Sequence, residues 1–143
     1  MSALALQALA DETDGQLIGE SVPLRNLVID SRRVGEGDLF AALRGQQVDG
    51  HDFAHNALQA GASALLTERR LDGLSPQLVV SNVTTASGRF GYLKRQLFTG
   101  VVIAVTGSAG KTTSKNLMAA ALSPMGSVHA TSGNQNNELG VPM

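Results

Sequence analysis

The sequence predicts an α/β protein in which a small N-terminal α/β domain is followed by the beginning of a second domain with a parallel sheet. Two observations support this fold class. In residues 1–82 short apolar runs alternate with segments of helical periodicity. Residues 101–105 are five consecutive apolar, mostly β-branched residues, which are typical of a strand buried on both faces of a parallel sheet. We therefore divide the chain into an N-terminal domain, residues 1–82, and the start of a second domain, residues 83–143.

Composition excludes several classes of protein. The 143 residues are 43% apolar and 16% charged, as in a soluble globular protein. Lys and Arg number 11 against 12 Asp and Glu, so no overall positive charge favours nucleic acid as a partner. The absence of cysteine excludes disulfides and thiolate metal sites. No apolar run approaches the roughly 20 residues that span a bilayer, and the N-terminus lacks a secretory signal, so we expect a cytoplasmic protein without membrane insertion.

The segment after residues 101–105 has the features of a phosphate-binding loop. Two glycines allow a sharp turn, and the helix predicted to begin near Thr112 presents unpaired N–H groups to an anion. Lys111 adds a positive charge, and the Thr112 hydroxyl is suited to Mg²⁺. Val105 stands where the pattern G-x-x-x-x-G-K-[ST] has its first glycine, so we expect a tighter loop than the standard one. The competing interpretation is a glycine-containing turn with an exposed lysine. The residues predicted to surround the phosphates are Thr106, Gly107, Ser108, Ala109, Gly110, Lys111, Thr112 and Thr113.

The remaining elements follow from apolar periodicity and from breaking residues. In the N-terminal domain we expect a helix at 3–10 and strands at 16–18, 26–30, 39–43, 62–67 and 77–80. Asp52 is predicted to cap a further helix that Gly61 ends. Apolar positions at helical spacing predict another helix over residues 83–98.

The last residues predict a second strand at 127–131, followed by a polar segment that is either a ligand-binding loop at the end of a parallel strand or an ordinary surface loop. One strand, one helix and one more strand cannot cover both faces of a parallel sheet. We therefore expect the chain to be the front part of a longer protein.

Five segments together resemble the Mur ligases of peptidoglycan synthesis, and they span most of the chain. The first four are Asp30-Ser31-Arg32, Gly-Asp-Leu-Phe-Ala-Ala at 37–42, Asp-Gly-His-Asp-Phe at 49–53 and Thr-Gly-Ser-Ala-Gly-Lys-Thr-Thr at 106–113. The fifth, Gly-Asn-Gln-Asn-Asn-Glu-Leu-Gly-Val-Pro at 133–142, resembles the member of the family that adds D-alanyl-D-alanine rather than the sibling that adds the third amino acid. The phosphate loop of this family is Thr-Gly-x-x-Gly-Lys-Thr, which accounts for Val105.

The resemblance implies a three-domain enzyme, and we expect it to be a monomer. It would bind the UDP end of UDP-N-acetylmuramoyl-tripeptide on the N-terminal domain and ATP with Mg²⁺ on the central domain, and would join D-alanyl-D-alanine through an acyl phosphate. Catalytic roles then fall to Lys111 and Thr112, and Thr112 becomes a Mg²⁺ ligand. The residues implied to contact substrate are Ser31, Arg32, Gln46 and Gln47 at the UDP part, and Asn134 and Asn137 beside the γ-phosphate. Further Mg²⁺ ligands, the adenine pocket and the amino-substrate domain would lie beyond residue 143, so the chain alone is expected to form no amide bond.

Three other functions remain open from the sequence. The nearest is the sibling Mur ligase that adds the third amino acid. A P-loop kinase or ATPase is weakened by Val105 and by residues 1–98, which lie before the strand of the phosphate loop and have the pattern of a separate domain. The last is a non-catalytic module that binds a uridine nucleotide.

Overall fold

The computed structural model describes residues 3–131 and has the predicted mixed α/β architecture. The strands are β1 (Leu4–Ala5), β2 (Gln16–Ile18), β3 (Pro23–Leu24), β4 (Leu27–Val28), β5 (Leu39–Ala41), β6 (Ala64–Thr67) and β7 (Gln77–Val79). The α-helices are α1 (Leu6–Thr13), α2 (Ala54–Gln59), α3 (Val83–Leu97) and α4 (Lys111–Leu122), and 3-10 turns cover Ser31–Arg33, Gly50–Phe53 and Ser123–Met125.

Five strands form one sheet in the order β2-β7-β6-β5-β4. Strands β4, β5, β6 and β7 are parallel, and β2 runs antiparallel to β7 at the edge. The short strands β1 and β3 form a separate antiparallel pair. The carboxyl ends of the four parallel strands therefore lie together along one side of the sheet, which we call the carboxyl edge, and their amino ends lie along the opposite side.

Helices cover both faces of this sheet because its strand residues alternate between two cores. On one face the side chains of Leu39, Ala41 and Leu66 pack with residues of α1 and α3. On the other face Phe40 and Leu65 pack with the alanines of α2. Alternation between two buried faces explains why these strands are continuous apolar runs in the sequence.

Helix α3 belongs to the first of these cores. Val83, Ala86 and Phe90 are buried against strands and helices that precede them in the chain. Asn82 begins the helix by accepting a hydrogen bond from the Thr85 N–H at 2.7 Å. The packing of α3 therefore joins it to the N-terminal sheet, on the N-terminal side of the phosphate loop.

Two predictions in the N-terminal part are corrected by the structure. The first helix begins at Leu6 rather than at residue 3, because Leu4 pairs with Leu24 across β1 and β3. The helix that Asp52 was expected to cap begins with Phe53 as its N-cap and no side-chain hydrogen bond. Asp49 instead accepts the hydrogen bond that opens the preceding 3-10 turn.

The strands predicted at 101–105 and 127–131 are wrong for the part of the chain that the structure describes. Neither segment forms ladder hydrogen bonds there, and the side chain of Val101 is 87% exposed. A parallel strand needs a neighbour with which to pair, and residues 3–131 supply none to these segments. The helix predicted to follow the phosphate loop is confirmed, beginning at Lys111.

In the described range of 3–131, no helix has both the length and the apolar character that a bilayer crossing requires.

The side chain of Phe90 should account for much of the stability contributed by α3. It is 1% exposed in the core, whereas Tyr92, on the same helix, is 49% exposed. We expect Phe90→Ala to lower the free energy of unfolding by about 3–5 kcal/mol because it removes buried apolar surface and leaves a cavity. Tyr92→Ala, the control, should change it by less than about 0.5 kcal/mol. Chemical denaturation followed by circular dichroism measures both, and similar losses in the two variants would contradict this packing.

Candidate functional site

The loops that leave the parallel strands meet at one edge of the sheet. Ser31 and Arg32 follow β4, and Gln46 and Gln47 follow β5, which is the neighbouring strand. Because the two strands are parallel, their carboxyl ends and the loops after them lie at the same edge. The structure therefore places all four residues expected at the UDP part along one edge, and Glu68 and Arg69, after β6, belong to the same edge.

Asp30 organises the loop after β4. Its carboxylate accepts hydrogen bonds from the Arg32 backbone N–H at 3.0 Å and from Arg32 Nε and Nη2 at 2.9 and 2.8 Å. The side-chain hydrogen bonds from Arg32, followed by the backbone one, lower the pKa of Asp30 from 3.8 to about 2. Within residues 3–131, Arg32 Nη1 has no hydrogen-bond partner and Arg33 has no ion-pair partner. The turn thus carries donors that a diphosphate could use.

The loop after β5 contains a short turn, residues 44–49, which we call the glutamine turn. A backbone bridge between Arg44 and Asp49 and a hydrogen bond from Gly45 N to Val48 O at 2.9 Å close it. Gln46 and Gln47 lie at its exposed tip. Their amides can both donate and accept, which suits the polar edge of a base such as uracil.

Gly50 follows the glutamine turn at a very close backbone approach. Its N–H donates to Leu43 O at 2.7 Å, and a Cβ at position 50 would lie 2.5 Å from that oxygen. Any larger residue would therefore push the glutamine turn away from the end of β5.

Asp49, at the base of the glutamine turn, is bonded to three donors. It accepts from the His51 backbone N–H at 3.0 Å, from His51 Nδ1 at 2.6 Å and from Arg69 Nη1 at 2.8 Å. These hydrogen bonds, with that from the His51 N–H the largest, hold the pKa of Asp49 well below its usual range. The other ring nitrogen of His51, Nε2, accepts from the Glu68 N–H at 3.0 Å.

The phosphate loop has a geometry that fits an anion. Gly110 has a φ of +78°, a left-handed conformation that favours glycine, and a Cβ there would meet nothing within 4 Å. Among the described residues, no side chain caps the N-terminus of α4, which leaves N–H groups of its first turn for a ligand. Lys111 Nζ donates to Gly107 O at 2.6 Å, so the ammonium group is held across the loop.

The Thr112 hydroxyl lies in the first turn of α4 and has no hydrogen-bond partner within residues 3–131. An exposed hydroxyl beside the phosphate loop is chemically suited to Mg²⁺, which prefers oxygen ligands. Asn134 and Asn137, expected near the γ-phosphate, lie outside the described residues.

A cavity of about 310 Å³ lies beside β4, the edge strand of the sheet. Its polar lining includes Asp30, Arg33 and Asp38 from the N-terminal unit and His129 and Thr131 from the segment after α4. Asp38 is buried and accepts from Asn26 Nδ2 at 3.0 Å and from Gly35 N at 2.9 Å. The loop that carries Asp30 and Arg32 is thus next to a space large enough for part of a ligand.

Sequence reasoning missed Asp49, His51 and Arg69 as a connected group. One signal was available, because Asp30 and Asp49 each accept from the N–H two residues later and each opens a 3-10 turn. An aspartate between a polar loop and a turn favours this local hydrogen bond. The contact with Arg69 crosses 20 residues and had no signal in the sequence.

Comparison with known proteins assigns the family. The model of the Mur ligase family, catalytic domain, matches residues 23–130, which is more than half of the chain. The chain belongs to the Mur ligase family. The match covers both the sheet-edge loops and the phosphate loop of this Mur ligase chain.

The proteins that are similar to this chain include the following three ligases. The UDP-N-acetylmuramoyl-tripeptide--D-alanyl-D-alanine ligase of Escherichia coli (strain K12) is 43% identical over 143 residues, which are 100% of this chain and 32% of that protein. The UDP-N-acetylmuramoylalanyl-D-glutamyl-2,6-diaminopimelate--D-alanyl-D-alanyl ligase from Acinetobacter baumannii superposes with a TM-score of 0.81 at 36% identity, over 100% of this chain and 33% of that one. The MurF ligase from Thermotoga maritima in complex with ADP superposes with a TM-score of 0.70 at 39% identity, over 82% of this chain and 28% of that one. The chain therefore spans about a third of the length of its relatives.

The ion pair of Asp30 can be tested by titration. We expect the Asp30 carboxyl to titrate near 2, and Arg32→Ala to raise its pKa toward the ordinary value because the largest cause is removed. A carboxyl whose pKa is lowered by folding stabilises the folded state above its unfolded pKa, so this contribution should disappear as pH falls from about 4 to about 2. NMR of the side-chain carboxyl carbon measures the titration. Arg33→Ala, which removes only a more distant charge, is the control. If Arg32→Ala left the pKa of Asp30 unchanged, the ion pair between Asp30 and Arg32 would be contradicted.

Proposed function

We propose that the chain is the N-terminal part of an ATP-dependent ligase that adds D-alanyl-D-alanine to UDP-N-acetylmuramoyl-tripeptide in peptidoglycan synthesis. The observation that carries this proposal is the 43% identity over the whole chain with the Escherichia coli enzyme of that name. The remaining two thirds of such a ligase would supply the amino-substrate site and the other Mg²⁺ ligands.

The proposed reaction forms the amide in two displacements. An oxygen of the terminal tripeptide carboxylate attacks the γ-phosphorus of ATP, and ADP leaves with the electron pair of the broken P–O bond. The amine of D-alanyl-D-alanine then attacks the carbonyl carbon of the acyl phosphate, inorganic phosphate leaves, and the amine gives up a proton. Each displacement joins groups that the protein must hold in position, so the main contribution of the chain is orientation and charge stabilisation.

The residues of the phosphate loop have the chemistry that the first displacement needs. Residues 106–113 would surround the ATP phosphates, with backbone N–H groups at the start of α4 as donors and the Lys111 ammonium as a fixed positive charge. Mg²⁺, held in part by the Thr112 hydroxyl, would neutralise charge on the phosphates. Asn134 and Asn137 remain proposed neighbours of the γ-phosphate.

The edge of the N-terminal sheet would bind the uridine diphosphate part of the substrate. Ser31 and Arg32 offer a hydroxyl and guanidinium donors, and Gln46 and Gln47 offer amides at an exposed tip. Arg32 and Arg33 after β4 and Arg44 after β5 place guanidinium groups at this edge, where Arg32 is paired with Asp30 and Arg44 lies 3.8 Å from Asp49. Guanidinium groups bind phosphate oxygens through charge-assisted hydrogen bonds, which supports a diphosphate at this edge.

The division into two domains also remains a proposal. The proposed units are residues 1–82 and 83–143, and the packing of α3 against the N-terminal core supports moving the boundary between them to after Leu97. We propose further that the whole ligase is a monomer in the cytoplasm, where ATP and nucleotide-linked precursors are present.

The alternative functions have less support. The Escherichia coli and Acinetobacter baumannii proteins described above are named as ligases that add D-alanyl-D-alanine, which favours this activity over addition of the third amino acid. Membership of the Mur ligase family disfavours a kinase, and a binding module without catalysis would have no use for the Gly-Lys-Thr loop.

Removing the loop lysine tests the proposed ATP site. In the whole ligase, we expect Lys111→Ala to lower kcat by about 100-fold or more, since it removes a charge that stabilises the transferring phosphoryl group. The affinity for the uridine nucleotide should change little, because that part binds at the sheet edge. Lys115→Ala, one turn further along α4, is the matched control and should keep most of the turnover. Near-normal turnover of Lys111→Ala in a phosphate-release assay would exclude the assigned loop.

The role of Thr112 can be separated from a structural one. Thr112→Val keeps the shape of the side chain and removes the hydroxyl, so we expect a higher Mg²⁺ requirement and a steep loss of activity. Thr112→Ser retains the hydroxyl and should restore both. Activity measured against Mg²⁺ concentration tests this, and identical Mg²⁺ curves for the valine variant and the wild type would remove Thr112 from the metal site.

A further inference from the structure

The glutamine turn has almost no buried surface of its own. Gln46, Gln47 and Val48 at its tip are exposed, and its internal backbone closure consists of the Arg44 and Asp49 bridge and the hydrogen bond from Gly45 to Val48. Segments with few apolar contacts open at low free-energy cost. The orientation of the two glutamines therefore depends on what holds the base of the turn.

His51 connects the base of the glutamine turn to the end of β6. Its side chain is 1% exposed. Nε2 accepts from the Glu68 N–H, so the ring proton lies on Nδ1 and is donated to Asp49. Both ring nitrogens are used by the protein, and this histidine acts as a spacer that fixes Asp49 relative to the end of β6.

Arg69 makes a second contact with the base of the turn. Its guanidinium donates from Nη1 to Asp49 Oδ2 at 2.8 Å, while Oδ1 receives the two His51 donors. The preceding residue, Glu68, points its carboxylate to the opposite end of the network and accepts from the Val83 N–H at 3.1 Å, at the start of α3. The end of β6 thus connects the glutamine turn with the first turn of α3.

We propose that Arg69 is a positioning residue for the uridine diphosphate site: by binding Asp49 it keeps the glutamine turn in the orientation that receives the nucleotide, without contacting the nucleotide itself. This inference rests on the proposed function. A turn that is ordered before binding loses less conformational entropy on binding than one that must be ordered by the ligand. Loss of Arg69 should therefore weaken nucleotide binding while the core stays intact.

The chain contains a matched control for this proposal. Arg70 is the next residue, and its ion pair is with Asp72, whose side chain is 95% exposed, at 3.4 Å. That pair lies within one loop and does not reach the glutamine turn. Arg69→Ala and Arg70→Ala therefore remove the same side chain from adjacent positions, and only the first removes a hydrogen bond to Asp49.

The experiment titrates the chain with UDP-N-acetylmuramoyl-tripeptide by calorimetry. We expect Arg69→Ala to raise Kd on the order of tenfold, which corresponds to ordering about two side chains on binding, and Arg70→Ala to leave it unchanged. Arg69→Lys keeps a positive charge that can reach Asp49 and should recover most of the affinity. Thermal unfolding of each variant provides the second readout, because a purely structural role would lower the midpoint without a specific loss of affinity.

A double variant separates positioning from direct contact. If Arg69 acts through Asp49, then Asp49→Asn should weaken binding similarly, and the double variant Arg69→Ala/Asp49→Asn should bind no more weakly than the weaker single variant. Additive losses would instead mean that Arg69 contacts the diphosphate and would overturn the proposal. Equal affinity of Arg69→Ala and the wild type would overturn it as well, while leaving the proposed function intact. A wild-type chain that does not bind the nucleotide at all would contradict the proposed function and this inference together.

Discussion

The parallel pairing of β4, β5, β6 and β7 determines where the polar loops of this chain can act. Each strand contributes apolar side chains to both faces of the sheet, so helices must cover both faces. The polar residues that follow each strand therefore lie at the carboxyl edge of the sheet. That edge receives the Asp30 to Arg32 turn, the glutamine turn and the Glu68 to Arg69 pair. The buried His51 links two of these loops, so the site is supported by the fold beneath it.

The segment that leads into the phosphate loop lacks the strand pairing that orders the N-terminal sheet. Residues 101–105 have the composition of a buried parallel strand, yet they have no pairing neighbour among residues 3–131, and Val101, Val102 and Ile103 are exposed. The loop that follows still forms its turn at Gly110 and its helix from Lys111, because these depend on local backbone preferences and not on the sheet. Under the proposed function, the rest of the ligase supplies the strands that cover this segment.

Local physics explains which parts of the structure the sequence could predict. The strand at Leu39–Ala41 and the helix at Val83–Leu97 follow from apolar runs and helical periodicity, and both are observed. The strands expected at 101–105 and 127–131 failed because pairing depends on partners that a single segment does not reveal. The ion pair between Asp49 and Arg69 was unpredictable for a similar reason, since it joins residues brought together only by the pairing of β5 with β6.

Under the proposed function, the carboxyl edge of the N-terminal sheet binds the uridine diphosphate part of the substrate. The most direct test is an NMR titration of the ¹⁵N-labelled chain with UDP-N-acetylmuramoyl-tripeptide, following every assigned backbone amide. We expect the amides that shift to belong to the loops after β4, β5 and β6, at residues 30–33, 44–51 and 68–69, and the amides of residues 106–113 to shift far less. Shifts confined to residues 106–113, or to the opposite edge of the sheet, would contradict it.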